Sequence, residues 1–229
     1  AKPLLAFIKN HKLKDFKVIS DRYYDFFLDF EINVNNFKND DIEKVIKDFD
    51  PDYILSGTSY TSEIELRFVN QAKKLNIDTY SYIDHYTNYK ERFILDNQYV
   101  FPKNIVLIDK IAEEIAIKNK LSAHSNLIVS NNFYHDFLRN WTPKTLRKTF
   151  LNNCQIKSDE KIIVFAPDPL SNINGKEEYL FDENETWNDL ADVLRKINLE
   201  KLIVIVKFHP NQNKKSLMNT IKKNNLENV

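Results

Sequence analysis

The chain has 229 residues, 42% of them hydrophobic, 13% aromatic and 29% charged, which exceeds one typical domain of about 100–150 residues and predicts two compact units. Its 33 basic and 33 acidic residues cancel, which excludes the broad positive field of a non-specific nucleic-acid binder and leaves room only for a local basic pocket. Apolar runs such as LIVIV fall far short of the ~20 residues that span a bilayer, no signal-peptide pattern opens the chain, and the single Cys154 has no partner thiol, so a cytoplasmic protein with at most peripheral membrane contact is expected.

From the start of the chain, KPLLAFIKNH reads as a short helix and FKVIS as a short buried strand. In DRYYDFFLDFE, Asp21 is positioned to cap a helix whose Tyr23, Phe26, Phe27 and Phe30 recur at three- and four-residue spacing, as a packing face does. IEKVIKDFD is a helix that stops at Asp50 before Pro51, and DYILSGTSYT is a strand running into a polar turn. EIELRFVNQAKKLNI has helical periodicity, with lysines late where the helix dipole favours them. TYSYIDHY and IVLID follow as strands, KIAEEIAIKNK as a helix and LIVSNN as another strand. Residues 140–159 hold a helix with no strand after it and read as a connection. KIIVFAPDPLS, ETWNDLADVLRKI, LIVIVKFHP and NKKSLMNTIKKNN then repeat strand, helix, strand, helix.

Such alternation predicts an α/β fold with parallel sheets: a first unit over residues 1–140, a linker over 141–159 and a second unit over 160–229. Two strands leave that second unit unfinished against the ~5 strands of a usual open sheet, so a chain truncated at its C-terminus is expected. The start at Ala1, with a helix first, extends the same expectation to the N-terminus. Only 2 glycines are present, so turns needing a positive φ are expected to use Asn or Asp, with Asn35/Asn36, Asn131/Asn132 and Asn152/Asn153 as the pairs to do it.

Open parallel sheets bind ligands beyond the carboxyl ends of their strands. Four strand ends carry polar groups. In SGTSYTSE, Gly57 permits a tight turn and is followed by the hydroxyls of Thr58, Ser59, Thr61 and Ser62. The helix beginning near Ser62, capped by Thr61 or Ser62, offers free N–H groups to an anion or a sugar hydroxyl; Glu63 and Glu65 suit its first turn. In IDHYTNYKERF, Asp84 and His85 point to opposite faces, one toward the cleft and one anchoring the loop, with Arg92 beyond. APDPLS is a proline-stiffened loop, and Glu177, Glu178, Asp182, Glu183 and Glu185 read as solvated, helix-start carboxylates. In VKFHPNQ, Lys207 and His209 share one face, Pro210 ends the strand and Asn211 is positioned to cap the next helix, which together make a phosphate seat.

A strand ending in KFHP, preceded by one that exits into APDPLS, resembles the C-terminal domain of bacterial glycosyltransferases of the GT-B fold. It is also similar to CDP-glycerol glycerophosphotransferases and capsule polysaccharide transferases, in which a K-x-H-P element lies by the donor nucleotide. PDYILSGTSYTSEIE with AKKLNIDTYSYIDHYTNYKERF looks like the first domain of sugar-pathway proteins related to the non-hydrolysing UDP-N-acetylglucosamine 2-epimerases, which share that fold. The resemblance implies two Rossmann-like units, Lys207 and His209 facing the donor diphosphate, Gly57, Thr58, Ser59, Asp84 and His85 lining the cleft, and Arg92 reaching an anionic group. The implied activity is transfer of a sugar or polyol phosphate from a nucleotide-activated donor to a saccharide or lipid-linked acceptor in surface polysaccharide synthesis. No metal or other cofactor is expected, cationic and helix-end groups stabilise the leaving phosphate, and His85 or Asp84 serves as base. A nucleotide-sugar epimerase or hydrolase is the alternative enzyme, and a non-catalytic sugar- or nucleotide-binding module the alternative outside catalysis.

Overall fold

A computed structural model describes residues 2–22, 25–38, 41–59, 62–157, 159–173, 175–197 and 201–226. The chain is mixed α/β with parallel sheets and divides into two compact units, Ala1–Thr142 and Pro143–Val229.

The first unit runs α1 (Lys2–Asn10), β1 (Val18–Ser20), α2 (Asp25–Leu28), β2 (Val34–Asn36), α3 (Ile42–Phe49), β3 (Tyr53–Ser56), α4 (Ile64–Lys74), β4 (Asp78–Ile83), β5 (Ile94–Leu95), β6 (Gln98–Tyr99), β7 (Asn104–Leu107), α5 (Lys110–Lys118), β8 (Asn126–Val129) and α6 (Phe133–Arg139). Short polar caps set the helix limits. Asp41 accepts from the N–H groups of Glu43 and Lys44 to start α3, which stops at Asp50 in the left-handed region (φ 49°). Asp109 accepts from the Ala112 N–H to start α5.

Strands β3, β4, β7 and β8 lie side by side in that order, all parallel, with Tyr53 opposite Asp78, Tyr80 opposite Asn104 and Asn104 opposite Asn126. All four residues of β7 are buried, as a central parallel strand covered on both faces requires. The main core gathers Tyr82, Ile83, Tyr89, Phe93, Ile105 and Leu107, and a smaller cluster of Leu5, Phe27 and Ile32 sits under α1. β1 and β2 form a separate parallel pair. The antiparallel hairpin of β5 and β6 turns on Asp96 and Asn97, both at positive φ (49° and 61°), the requirement of a two-residue hairpin turn.

The second unit runs α7 (Arg147–Asn153), β9 (Lys161–Phe165), α8 (Gly175–Glu178), α9 (Glu183–Lys196), β10 (Leu202–Val206) and α10 (Lys214–Asn224). β9 and β10 pair in parallel, Lys161 opposite Leu202 through Phe165 opposite Val206. α9 is the crossover between them, opened by a capping box between Asp182 and Glu185. Phe165, Trp187, Val204, Leu217 and Ile221 make the core.

Several sequence expectations change. Asn35 and Asn36 pair in β2, Asn132 caps α6 and Asn152 and Asn153 end α7, so none of these pairs takes a positive φ; Asp50, Asn76, Asn88, Asp96, Asn97 and Asn225 do, beside Lys12, Glu31 and others. Asp21 does not cap a helix but accepts from the Ser62 hydroxyl, because α2 starts only at Asp25. Tyr23, the side chain of Phe26, and Thr61 lie outside the described residues. Among the described residues no helix is long and apolar enough to cross a membrane.

Candidate functional site

In the first unit the carboxyl ends of β1, β3 and β4 border a cavity of about 210 Å³ lined by Ser20, the last residue of β1, and Asp21 after it, Gly57, Thr58, Ser59 and Ser62 after β3, Asp84 after β4, and Glu65 of α4. Parallel pairing sends the β3 and β4 chains out at one edge, which is why residues far apart in sequence meet there.

Much of this lining holds itself together. The Thr58 hydroxyl donates to the Tyr82 carbonyl (3.2 Å) and accepts from Arg92 Nη1 (3.1 Å), which also donates to the Thr58 carbonyl (2.8 Å). Arg92 Nε donates to the Thr87 carbonyl (3.1 Å). The guanidinium therefore clamps the loop after β4 to the loop after β3, a different role from the anion contact that the resemblance implies. Ser62 bridges to Asp21 at 2.5 Å. Helix α4 begins at Ile64 with Glu63 as its first flanking residue and no side-chain cap there, while the Ser62 hydroxyl accepts from the Ile64 N–H at 3.3 Å.

Glu65 lies deeper, its Oε2 accepting from the Ser59 N–H at 2.5 Å. Burial pushes its carboxyl above the ordinary range, with the Ser59 N–H pulling the other way. Gly57 makes room for it: a Cβ there would stand 2.7 Å from Glu65 Oε1. Neither glycine of the chain takes a positive φ, so Gly57 serves close approach and not a tight turn.

Asp84 lines the cavity, is exposed, and has no hydrogen-bond or ionic partner among the described residues. His85 does not line it; its Nδ1 lies 2.9 Å from the Thr87 hydroxyl, within its own loop. Below them Tyr82 is buried, stacked on Phe133 (4.8 Å between centroids). Burial drives the Tyr82 phenol up to about 12, and among the described residues its hydroxyl has no hydrogen-bond partner. Three carboxylates, Asp21, Glu65 and Asp84, make this cleft suited to donors such as sugar or polyol hydroxyls and unsuited to phosphate.

In the second unit the carboxyl ends of β9 and β10 carry the loops 166–173 and 207–213. Lys207 is exposed; its N–H extends the ladder to the Phe165 carbonyl, and Phe208 packs against the core, so Lys207 and His209 alternate away from it. His209 Nδ1 accepts from the Asn211 N–H (3.2 Å), which leaves Nε2 as the protonated, donating nitrogen. Asn213, not Asn211, caps α10, through its Oδ1 and the Ser216 N–H. The Asn211 carbonyl instead accepts from Asn172 Nδ2 at 2.5 Å, joining the two loops.

Glu183, expected to be solvated, is 1% exposed. It accepts from the Ser171 N–H (2.9 Å) and the Ser171 hydroxyl (2.5 Å), beside the Gln212 amide. Burial raises its carboxyl, but these donors outweigh it and the net displacement is downward. Glu65 and Glu183 are the site residues that sequence reasoning missed, since helix-start acids are common; a glycine facing one and a serine twelve residues before the other were the available signals.

Among the described residues no cluster of His, Cys, Asp and Glu is positioned to hold a metal ion. No family model, curated protein or solved structure matches the chain.

Proposed function

We propose that the protein is a sugar- or polyol-phosphate transferase of the GT-B class that uses a nucleotide-activated donor, each of its units being Rossmann-like. The observation that carries this reading is the cleft at the carboxyl ends of β1, β3 and β4, where hydroxyls and carboxylates from separate parallel strands line one cavity. Asp84, unpartnered and exposed there, accepts the proton of the acceptor hydroxyl. His85, tied to Thr87, takes no part in that transfer and holds its loop. In the second unit Lys207 supplies positive charge and His209 a neutral Nε2–H to the donor phosphates, the leaving phosphate being stabilised by fixed donors and no metal.

The test is calorimetric titration of UDP, CDP, CMP and GDP into the protein and into its Lys207→Ala and His209→Ala variants. One nucleotide should bind, with affinity falling about tenfold in each variant, as loss of a charged hydrogen bond predicts. Unchanged affinity in both variants overturns the donor site. A new sugar formed from the donor alone would replace transferase with epimerase.

A further inference from the structure

A second cavity, of about 340 Å³, lies in the first unit and is lined by Val18 and Ile19 of β1 and by Tyr53 to Ser56 of β3. Among the described residues these two strands do not pair: β1 bonds to β2, and β3 to β4. The rest of the wall is largely apolar and comes from helices α1 to α4 and the loops between elements, including Phe7, Ile8, Phe16, Val45, Ile46 and Phe68. Folded interiors rarely leave voids larger than a water molecule, whereas small-molecule sites have volumes of roughly 300–1,000 Å³. This space has the size and lining of a site and not of a packing defect.

It is also continuous with the polar cleft. Leu4, Val18, Ile19, Phe27, Ile64 and Glu65 line both. Hydroxyls and carboxylates ring one chamber, the other is lined chiefly by hydrocarbon with Asp15, Lys17, Asp50 and Asp52 also in its wall, and the Glu65 carboxylate stands where they meet, beside Gly57. A ligand that fills both must be polar at one end and apolar at the other, because a free sugar leaves the apolar chamber wet and a plain hydrocarbon leaves Asp84 without a donor.

We propose that the two chambers form one site for an amphiphile, a polyhydroxyl head in the cleft and an aliphatic or aromatic tail between β1 and β3. This deepens the proposed function by naming the acceptor class, and rests on that reading only for the head's role as acceptor.

Methyl, butyl, hexyl and octyl β-glucosides, each below its micelle threshold, are titrated into the protein by calorimetry, with hydrogen exchange read on β1 and β3. Affinity should rise about three- to fourfold per methylene until the chamber is full, with added protection at both strands. Val45→Phe and Ile8→Phe, two independent ways to fill the chamber, should flatten the dependence while leaving the methyl glucoside unchanged; unfolding midpoints establish that each variant folds. An affinity independent of chain length, or a dependence that survives both variants, overturns the amphiphile site. Nucleotide binding in the second unit is measured on the same samples, so a wild-type protein that shows no chain-length effect but binds nucleotide sinks this inference and spares the donor site.

Discussion

Each unit withdraws a carboxylate from solvent in the first turn of the helix that crosses from one parallel strand to the next, half-buried Glu65 and fully buried Glu183, and a serine donates its backbone N–H to it: Ser59 to Glu65 in the first unit, Ser171 to Glu183 in the second. The two groups nevertheless titrate in opposite directions. Glu65 has the Ser59 N–H against its desolvation and is raised, while Glu183 accepts from the Ser171 hydroxyl as well as its N–H and is lowered. Burial raises both and sets the sign at Glu65; at Glu183 the donors aimed at the charge reverse it. A carboxylate given all its donors is a fastener, and one left short of them is available to a ligand. The first unit keeps its under-served carboxylate where two chambers meet, and the second uses its satisfied one to hold a loop.

The contrast breaks most visibly at Glu183. Glu183→Ala leaves the Ser171 N–H and hydroxyl without their acceptor and should cost about 3 kcal/mol, followed by denaturant unfolding with the buried Trp187 as reporter. Because the folded value is depressed, this stabilisation is present above the ordinary carboxylate range and disappears as pH falls through the folded value. Wild type and variant should converge in acid; a constant gap would mean that Glu183 acts by packing alone.

The two glycines sharpen the comparison at the next size down. A Cβ at Gly175 would meet Leu170 Cβ at 2.5 Å and the Leu170 carbonyl at 2.7 Å, so backbone must shift and Gly175→Ala should cost about 2 kcal/mol. A Cβ at Gly57 meets only the end of the Glu65 side chain, which can swing aside, and Gly57→Ala should cost about 1 kcal/mol through the Ser59 bond. Equal costs by thermal unfolding would contradict the distinction between rigid and yielding neighbours.

The smallest effect has the opposite sign. Glu65 is raised, so the folded state holds a proton that the unfolded chain releases, and stability falls as pH climbs from the ordinary carboxylate range through the raised value. Glu65→Gln removes that loss. Its unfolding midpoint should exceed wild type at neutral pH and match it in acid; a variant less stable at neutral pH would show that the ionised form is favoured.

The α/β alternation was legible because LIVIV, IVLI and YILS are apolar runs between periodic segments, and because Asp50 before Pro51 marks a helix end. β2 was not, since VNN has no strand signature and forms only by pairing with β1; nor was the β5–β6 hairpin, whose strands are two residues each. The placement of Gly57, Thr58, Ser59 and Asp84 at strand ends was readable from order alone. Their roles were not: what ties Thr58 to Arg92 is a contact across 34 residues, and such partners come from parallel register and not from local pattern.

One consequence follows from how this chain turns corners. Lys12, Lys120, Gln155, Lys201 and Leu180, which is 85% exposed, stand at φ between 50° and 67° without the short polar side chains that tolerate it. Each carries a steric penalty of about 1–2 kcal/mol that glycine would not, against roughly 0.5–1 kcal/mol of added backbone entropy on unfolding. The protein thus holds a thermostability reserve at its surface corners, reachable by glycine substitutions that leave every strand, helix and chamber as it is.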